Sequence, residues 1–210
     1  MQQPFKKDLS HSTWDEVYAR QVQRADLMPA WIEALGLKRR DRVLDVGCGP
    51  GFVSLGLAER VGPDGLVYAI DRSRDALAHL ARLQQERDIS QIQRMAADVG
   101  TLKSGDLHAD SALISMVLHH ADDPAGVLCN VHRLLPARAR AVVAEFHPQG
   151  PCEQGAPREF RLAPEQVQTW CEAAGFKVLD YRRQSPEHYM FVVERAALMA
   201  RPRTILPSNS

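Results

Sequence analysis

Residues 43–51 read VLDVGCGPG, and Phe52 follows. Residues 43–46 have the length and apolar character of a short buried strand, and glycines stand at 47, 49 and 51 directly after it. Glycine at every second position marks backbone that lies close against a ligand, where a Cβ would intrude. The dinucleotide fingerprint G-x-G-x-x-G, counted from Gly47 and Gly49, puts its third glycine at position 52. This chain has Phe there, so the loop is G-x-G-x-G, which counts against a nucleotide-dependent oxidoreductase.

Working outward, strands and helices alternate. Residues 53–60 read as a helix, 66–70 as a strand, and 75–87 as a helix with Leu77, Leu80 and Leu83 on one face. Residues 92–97, 112–116 and 141–146 are three further apolar strands, with a helix at 125–135 between the last two. Such alternation predicts a parallel sheet covered by helices on both faces. Toward the C-terminus, a capped helix at 164–175 precedes strands at 176–181 and 188–194. Too few residues separate that pair for a crossover helix, so they are expected to form an antiparallel hairpin.

Upstream, Thr13-Trp-Asp-Glu16 has the spacing of a capping box, predicting a helix from about Trp14 that carries Val17, Tyr18 and Val22. A second helix is expected over 27–35, with Pro29 in its first turn and Gly36 closing it. Residues 1–40 thus read as a helical cap, 41–196 as one α/β domain, and 197–210 as a disordered tail.

Among 210 residues, Lys+Arg and Asp+Glu number 26 each, which gives no broad basic face for nucleic acid or anionic membrane. No apolar run reaches the roughly 18–20 residues of a membrane span, and MQQPFKKDLSHSTWDE lacks the apolar core of a secretory signal. Cys48, Cys129, Cys152 and Cys171 form no C-x-x-C pair, so neither a zinc site nor a disulfide framework is expected. A cytoplasmic protein with no metal is the resulting expectation.

In an open α/β sheet the ligand lies beyond the carboxyl ends of the strands. After the second strand comes Asp71, 22 residues beyond Gly49, suited to accept from ribose hydroxyls or, alternatively, to cap the next helix. After the third comes Asp98, an acceptor for an adenine amine or simply a turn residue. After the fourth come Ser115, His119 and His120.

This ordered set resembles the class I S-adenosylmethionine-dependent methyltransferases, in particular the small-molecule, type 11-like branch related to ubiquinone/menaquinone C-methyltransferases. The resemblance rests on VLDVGCGPG at 43–51, AID at 69–71, AAD at 96–98, SMVLHHADDP at 115–124, VVAEF at 142–146 and APEQVQTWCEAAGF at 163–176. It implies a Rossmann-like, seven-stranded, mostly parallel sheet of order 3-2-1-4-5-7-6 with the last strand antiparallel. It also implies S-adenosylmethionine as cofactor, S-adenosylhomocysteine as product and a small-molecule acceptor. Carried over by position, Gly47, Gly49 and Gly51 lie against the methionine moiety, with Asp45 orienting the loop. Asp71 binds the ribose and Arg72 lies against the adenine. Asp98 meets the adenine amine, Val99 lines its pocket, and Ser115 offers its backbone to the amino group. One departure is LLPARARAVVAEF, where the family usually has Pro-Gly-Gly before strand five. A protein or nucleic-acid acceptor, or a cofactor-binding regulator without catalysis, stays open as an alternative.

Methyl transfer needs alignment, exclusion of water and, for a protonated nucleophile, a base. His120, His119 and His147 are the candidates; Glu145, which closes strand five with His147, is read either as a further base or as a residue that orients the loop or an N-terminal helix. The Gly- and Pro-rich stretch 147–162 is expected over the acceptor pocket. In it, Arg158 and Arg161 are read either as acceptor ligands or as a solvated pair, and Cys152 as an ordinary loop thiol or a soft-acceptor ligand. Trp14 and Tyr18 are read either as closing the cap over the cofactor or as anchoring it to the core.

Overall fold

A computed structural model describes Leu9, residues 12–153 and residues 155–196. The tail expected at 197–210 lies outside the described residues. Seven strands, β1 (Arg42–Val46), β2 (Leu66–Asp71), β3 (Ile92–Ala96), β4 (Ser111–Ser115), β5 (Arg140–Phe146), β6 (Phe176–Arg183) and β7 (His188–Arg195), form one sheet of order β3-β2-β1-β4-β5-β7-β6. β1 to β5 run parallel to one another, and β7 runs antiparallel to both β5 and β6.

Alternate strand residues feed opposite faces of the sheet. In β1, Val43 joins a core with Leu57, Ala58 and Val61 on one face, while Leu44 and Val46 join Leu128, Val131 and Val167 on the other. Because both faces are covered, the central strands read as continuous apolar runs instead of alternating ones. On the first face lie α1 (Trp14–Val22), α2 (Met28–Leu35), α3 (Phe52–Val61) and α4 (Arg74–Glu86); α5 (Pro124–Leu134) and α6 (Pro164–Ala173) cover the second.

Local chemistry sets the ends of these helices. Thr13 and Glu16 make a reciprocal capping box on α1, Ser73 caps α4, and Asp123 caps α5 with Pro124 at its first position. Gly36 closes α2 in the left-handed region at φ 68°. Val22 departs from expectation: at the last turn of α1 it is 43% exposed and does not join the buried face that Val17 occupies. Strand β4 also stops one residue early, because Met116 turns left-handed at φ 54° while its N–H still reaches the Ala144 carbonyl. The turn before β5 is closed by Arg138 at φ 65°, donating to the Arg195 carbonyl, where glycine would hold this conformation without a Cβ penalty.

Candidate active site

The glycine loop turns three times in the left-handed region, at φ 66° for Gly47, 55° for Gly49 and 97° for Gly51. A Cβ on Gly47 would lie 2.2 Å from Val117 Cγ2, and one on Gly51 would lie 2.3 Å from Leu80 Cδ1. Gly47 and Gly49 border a cavity of about 1000 Å3, whereas Gly51 faces the core at the start of α3 and is not among the lining residues. Asp45 is likewise away from the cavity. It is buried and accepts from the Ser54 hydroxyl of α3 at 2.6 Å, tying strand to helix beneath the loop. Burial, above all, and the nearby Asp71 charge push its carboxyl up to about 7 against the Ser54 hydrogen bond.

Asp71 closes the loop from β2. Its Oδ2 accepts the Gly49 N–H and its Oδ1 the Ser73 N–H, both at 2.8 Å, so it orders the glycine turn and the start of α4 together. A carboxylate offers about four lone-pair sites, so Asp71 retains capacity on its cavity side, where it is a lining residue. Arg72, Asp98, Val99 and Ser115 line the same cavity. Asp98 also takes its turn role, accepting the Gly100 N–H at 2.8 Å. Asn130 of α5 holds that turn by donating to the Val99 and Leu102 carbonyls.

The N-terminal helices form another wall. Gln21 of α1 clamps the glycine loop with both ends of its amide, accepting the Phe52 N–H at 3.1 Å and donating to the Cys48 carbonyl at 3.2 Å. Trp14, Arg20 and Arg24 line the cavity beside it. Tyr18 does not: its ring packs on Phe52 and His79, and its hydroxyl accepts from Arg87, so it anchors α1 to α3 and α4.

At the β4–β5 edge, His119 Nδ1 lies 2.7 Å from Glu145 Oε2, and Glu145 Oε1 accepts the Leu118 N–H at 2.7 Å. Burial pushes the Glu145 carboxyl up, but the His119 and His120 imidazoles and the Leu118 N–H together bring it below its usual range. The His119 ring lies against His120, with centroids 4.1 Å apart and planes tilted by 41°, and meets Phe146 edge-on. His119, His120 and Phe146 all line the cavity.

Residues 37–196 match the family model described as a methyltransferase domain. The chain belongs to that family. Among curated relatives it is 34% identical to the 2-phytyl-1,4-naphtoquinone methyltransferase of Nostoc punctiforme over 111 residues, 52% of this chain and 48% of that one. The chain spans about half the length, or less, of the curated relatives it matches. Its fold is that of a solved S-adenosylmethionine-dependent methyltransferase from Aquifex aeolicus, with TM-score 0.75 and 21% identity over 80% of this chain and 89% of that one. It is also similar to the 1,6-didemethyltoxoflavin-N1-methyltransferase of Burkholderia thailandensis, solved with S-adenosylhomocysteine, with TM-score 0.64 and 21% identity over 94% of each chain.

The cofactor of this methyltransferase fold is S-adenosylmethionine, and the donor set suits it. Two carboxylates and bare glycine backbone face the cavity at the β1–β3 edge, a match for hydroxyls, amines and a cationic sulfonium.

Several expected residues of the methyltransferase stand elsewhere. His147 is buried outside the cavity wall, its ring nitrogens facing the Gln149 N–H and the Arg183 guanidinium. Burial and the Arg183 charge lower its pKa, and it is not among the residues that line the cavity. Arg161 donates to the Ala156 and His147 carbonyls and pairs with Glu187, while Arg158 donates to the Pro148 and Gly150 carbonyls. Both arginines therefore hold the 147–162 loop together. Cys152 donates to the Gly150 carbonyl and is not a lining residue; among the described residues of the loop, Gly155 and Ala156 line the cavity. Cys48, beneath the glycines, has its thiol pushed up by burial and by Asp45 and Asp71, so it is a protonated filler. Among the described residues, no group of three or more His, Cys, Asp or Glu is placed to hold a metal ion.

The sequence reading missed Gln21, Arg20 and Arg24 as site residues. A polar residue every few positions on a helix gives no sign of which face it serves until the glycine loop is placed beside it.

Proposed function

We propose that this chain transfers the methyl group of S-adenosylmethionine to a small-molecule acceptor held beside His119. The observation that carries the reading is one continuous cavity, bordered at one end by Gly47, Gly49, Asp71 and Asp98 and at the other by His119, His120 and Phe146. In it, Asp71 accepts from the ribose hydroxyls, Asp98 from the adenine amine, and Ser115 presents its backbone to the methionine amino group. Arg72 and Val99 border the adenine. The helices α1 and α2 act as a cap, with Gln21 coupling its position to the glycine loop.

When bound, the cofactor supplies a methyl carbon already activated by sulfonium. The protein aligns the acceptor about 3 Å from that carbon and keeps water out. Glu145, held ionised, fixes the His119 ring by accepting Nδ1–H, which leaves the basic lone pair on Nε2. That arrangement lets His119 take the proton of an acceptor hydroxyl or amine. His120, packed against it, shapes the same wall. Two similar proteins, named for a naphtoquinone and for didemethyltoxoflavin, are consistent with a small ring-bearing acceptor.

Calorimetric titration with S-adenosylhomocysteine, alongside NADH, tests the cofactor reading. Micromolar binding of the first and none of the second is expected; heat with NADH alone would overturn the reading. Transfer of labelled methyl from S-adenosylmethionine across a panel of ring-bearing phenols and amines then tests the chemistry. It should fall at least about tenfold in His119→Ala if the base is used.

A further inference from the structure

The acceptor end carries two cations that form no ion pair among the described residues. Arg20, in the last turn of α1, and Arg24, just beyond it, both line the cavity. Arg20 donates through Nε to the Glu16 carbonyl at 3.4 Å, but its Nη2 is buried with no hydrogen-bond partner. The Arg24 guanidinium lies 5.5 Å from the centre of the Phe146 ring and is in no ion pair among the described residues. Burial, with the Arg20 charge adding to it, lowers Arg24 to about 10, which still leaves its guanidinium charged at neutral pH. The carboxylate felt by Arg24, that of Glu145, is already engaged by His119 and the Leu118 N–H.

Two like charges, partly desolvated and close enough to repel, cost stability unless an anion completes them. Their surroundings say what kind. Trp14, Trp31 and Phe146 line the same end, and Phe146 touches both the Arg24 guanidinium and, at 5.4 Å between centroids, the His119 ring. The other arginines of the region are accounted for: Arg158 and Arg161 hold the loop, Arg133 is hydrogen-bonded to Asn130, and Arg72 stands at the Asp71 edge.

Resting on the methyl-transfer reading above, we propose that the acceptor is a small aromatic acid whose carboxylate is bound by Arg20 and Arg24. Its ring lies along Phe146, and its reacting atom points to His119. A guanidinium pair recognises a carboxylate through charge-assisted, potentially bidentate hydrogen bonds, and the aromatic walls take the ring. The pairing also places a negative acceptor beside a positively charged cofactor.

The test uses the whole chain saturated with S-adenosylhomocysteine and titrated with benzoate and benzamide, then with 2-naphthoate and 2-naphthamide. Each acid is expected to bind at least about tenfold more tightly than its amide, the worth of charge-assisted hydrogen bonds. In Arg24→Gln and Arg20→Gln that preference should shrink to about twofold, and Arg24→Lys should keep part of it. S-adenosylhomocysteine affinity should stay within about twofold in all three variants, which shows that they fold and that the cofactor end is intact. Equal binding of acid and amide, binding of neither at millimolar concentration, or a preference surviving both glutamine variants would overturn the proposal. Failure of the wild-type protein to bind S-adenosylhomocysteine would instead overturn the methyl-transfer reading beneath it.

Discussion

At one end of the cavity the walls are backbone and short acids; at the other they are long side chains from distant elements. Gly47, Gly49, Asp71 and Asp98 all lie within the first three βα units and reach the cavity directly from strand ends. Arg20, Arg24, His119, Phe146 and Ala156 come from α1, the turn after it, the β4–β5 edge and the loop before α6. The first construction is stiff: its shape follows from left-handed glycines and a carboxylate that ties two N–H groups together. The second depends on rotamers and on how the N-terminal helices dock. Backbone geometry suits a part that must bind one invariant cofactor, while side chains are where an acceptor preference is set.

If the two ends are separable, each can be broken alone. The largest effect is expected for Glu145→Ala, which strips His119 and the Leu118 N–H of their acceptor at a fully buried position. Removing one member of a buried pair costs about 4 kcal/mol, and chemical denaturation will show it. Glu145→Gln keeps the shape and should instead lower turnover with S-adenosylhomocysteine affinity nearly unchanged; a parallel fall in both would mean that the ends are coupled. Next comes Gly47→Ala at the opposite end. Its Cβ would lie 2.2 Å from Val117 Cγ2 at a φ of 66°, and left-handed strain plus overpacking amount to about 3 kcal/mol. Thermal unfolding should shift accordingly, and cofactor binding should fall with it.

Two smaller tests sharpen the cofactor end. The Asp45 pKa is raised to about 7 by burial, so the folded protein holds that proton while an unfolded Asp has released it. This contribution is full below about pH 4 and is lost as pH rises to about 7, an effect of about 2 kcal/mol once local relaxation is allowed for. Asp45→Asn should therefore gain on the wild type between about pH 5 and about pH 8 in denaturant midpoints. A difference independent of pH would remove the assignment. Asp71→Ala should weaken S-adenosylhomocysteine binding by about 10–100-fold, from lost charge-assisted hydrogen bonds. Unchanged affinity in that variant would withdraw Asp71 from ribose binding.

The same contrast explains what the sequence made legible. The sheet order followed from the family resemblance and from apolar runs broken by turn residues, and a glycine loop at fixed spacing pointed to its cavity edge. The capping box at Thr13 and the proline start of α5 were readable because they are local. The His119–Glu145 pair was only half readable: both residues stood at strand ends, but nothing in their separation of 26 residues says that β4 and β5 bring the ring and carboxylate to 2.7 Å. His147 followed the same strand-end logic and proved to face Arg183 and Tyr189 outside the cavity wall. His147 lies one residue beyond the end of β5, whose last residue, Phe146, lines the cavity.

The smallest expected effect concerns α1, where Gln21 and Tyr18 stand less than one turn apart. Gln21 binds the loop backbone at Cys48 and Phe52, whereas the Tyr18 hydroxyl only accepts from Arg87 at 3.2 Å in an exposed position. Tyr18→Phe removes that bond and keeps the ring packed on Phe52 and His79, so stability should change by less than about 0.5 kcal/mol. Cofactor affinity should stay within about twofold. Gln21→Ala, by contrast, frees a carbonyl and an N–H of the glycine loop and should cost about 1–2 kcal/mol with a measurable loss of S-adenosylhomocysteine affinity. If calorimetry found the tyrosine variant the weaker binder of the two, α1 would have to be docked with its opposite face to the cavity. Arg20 and Arg24 would then leave the acceptor end together.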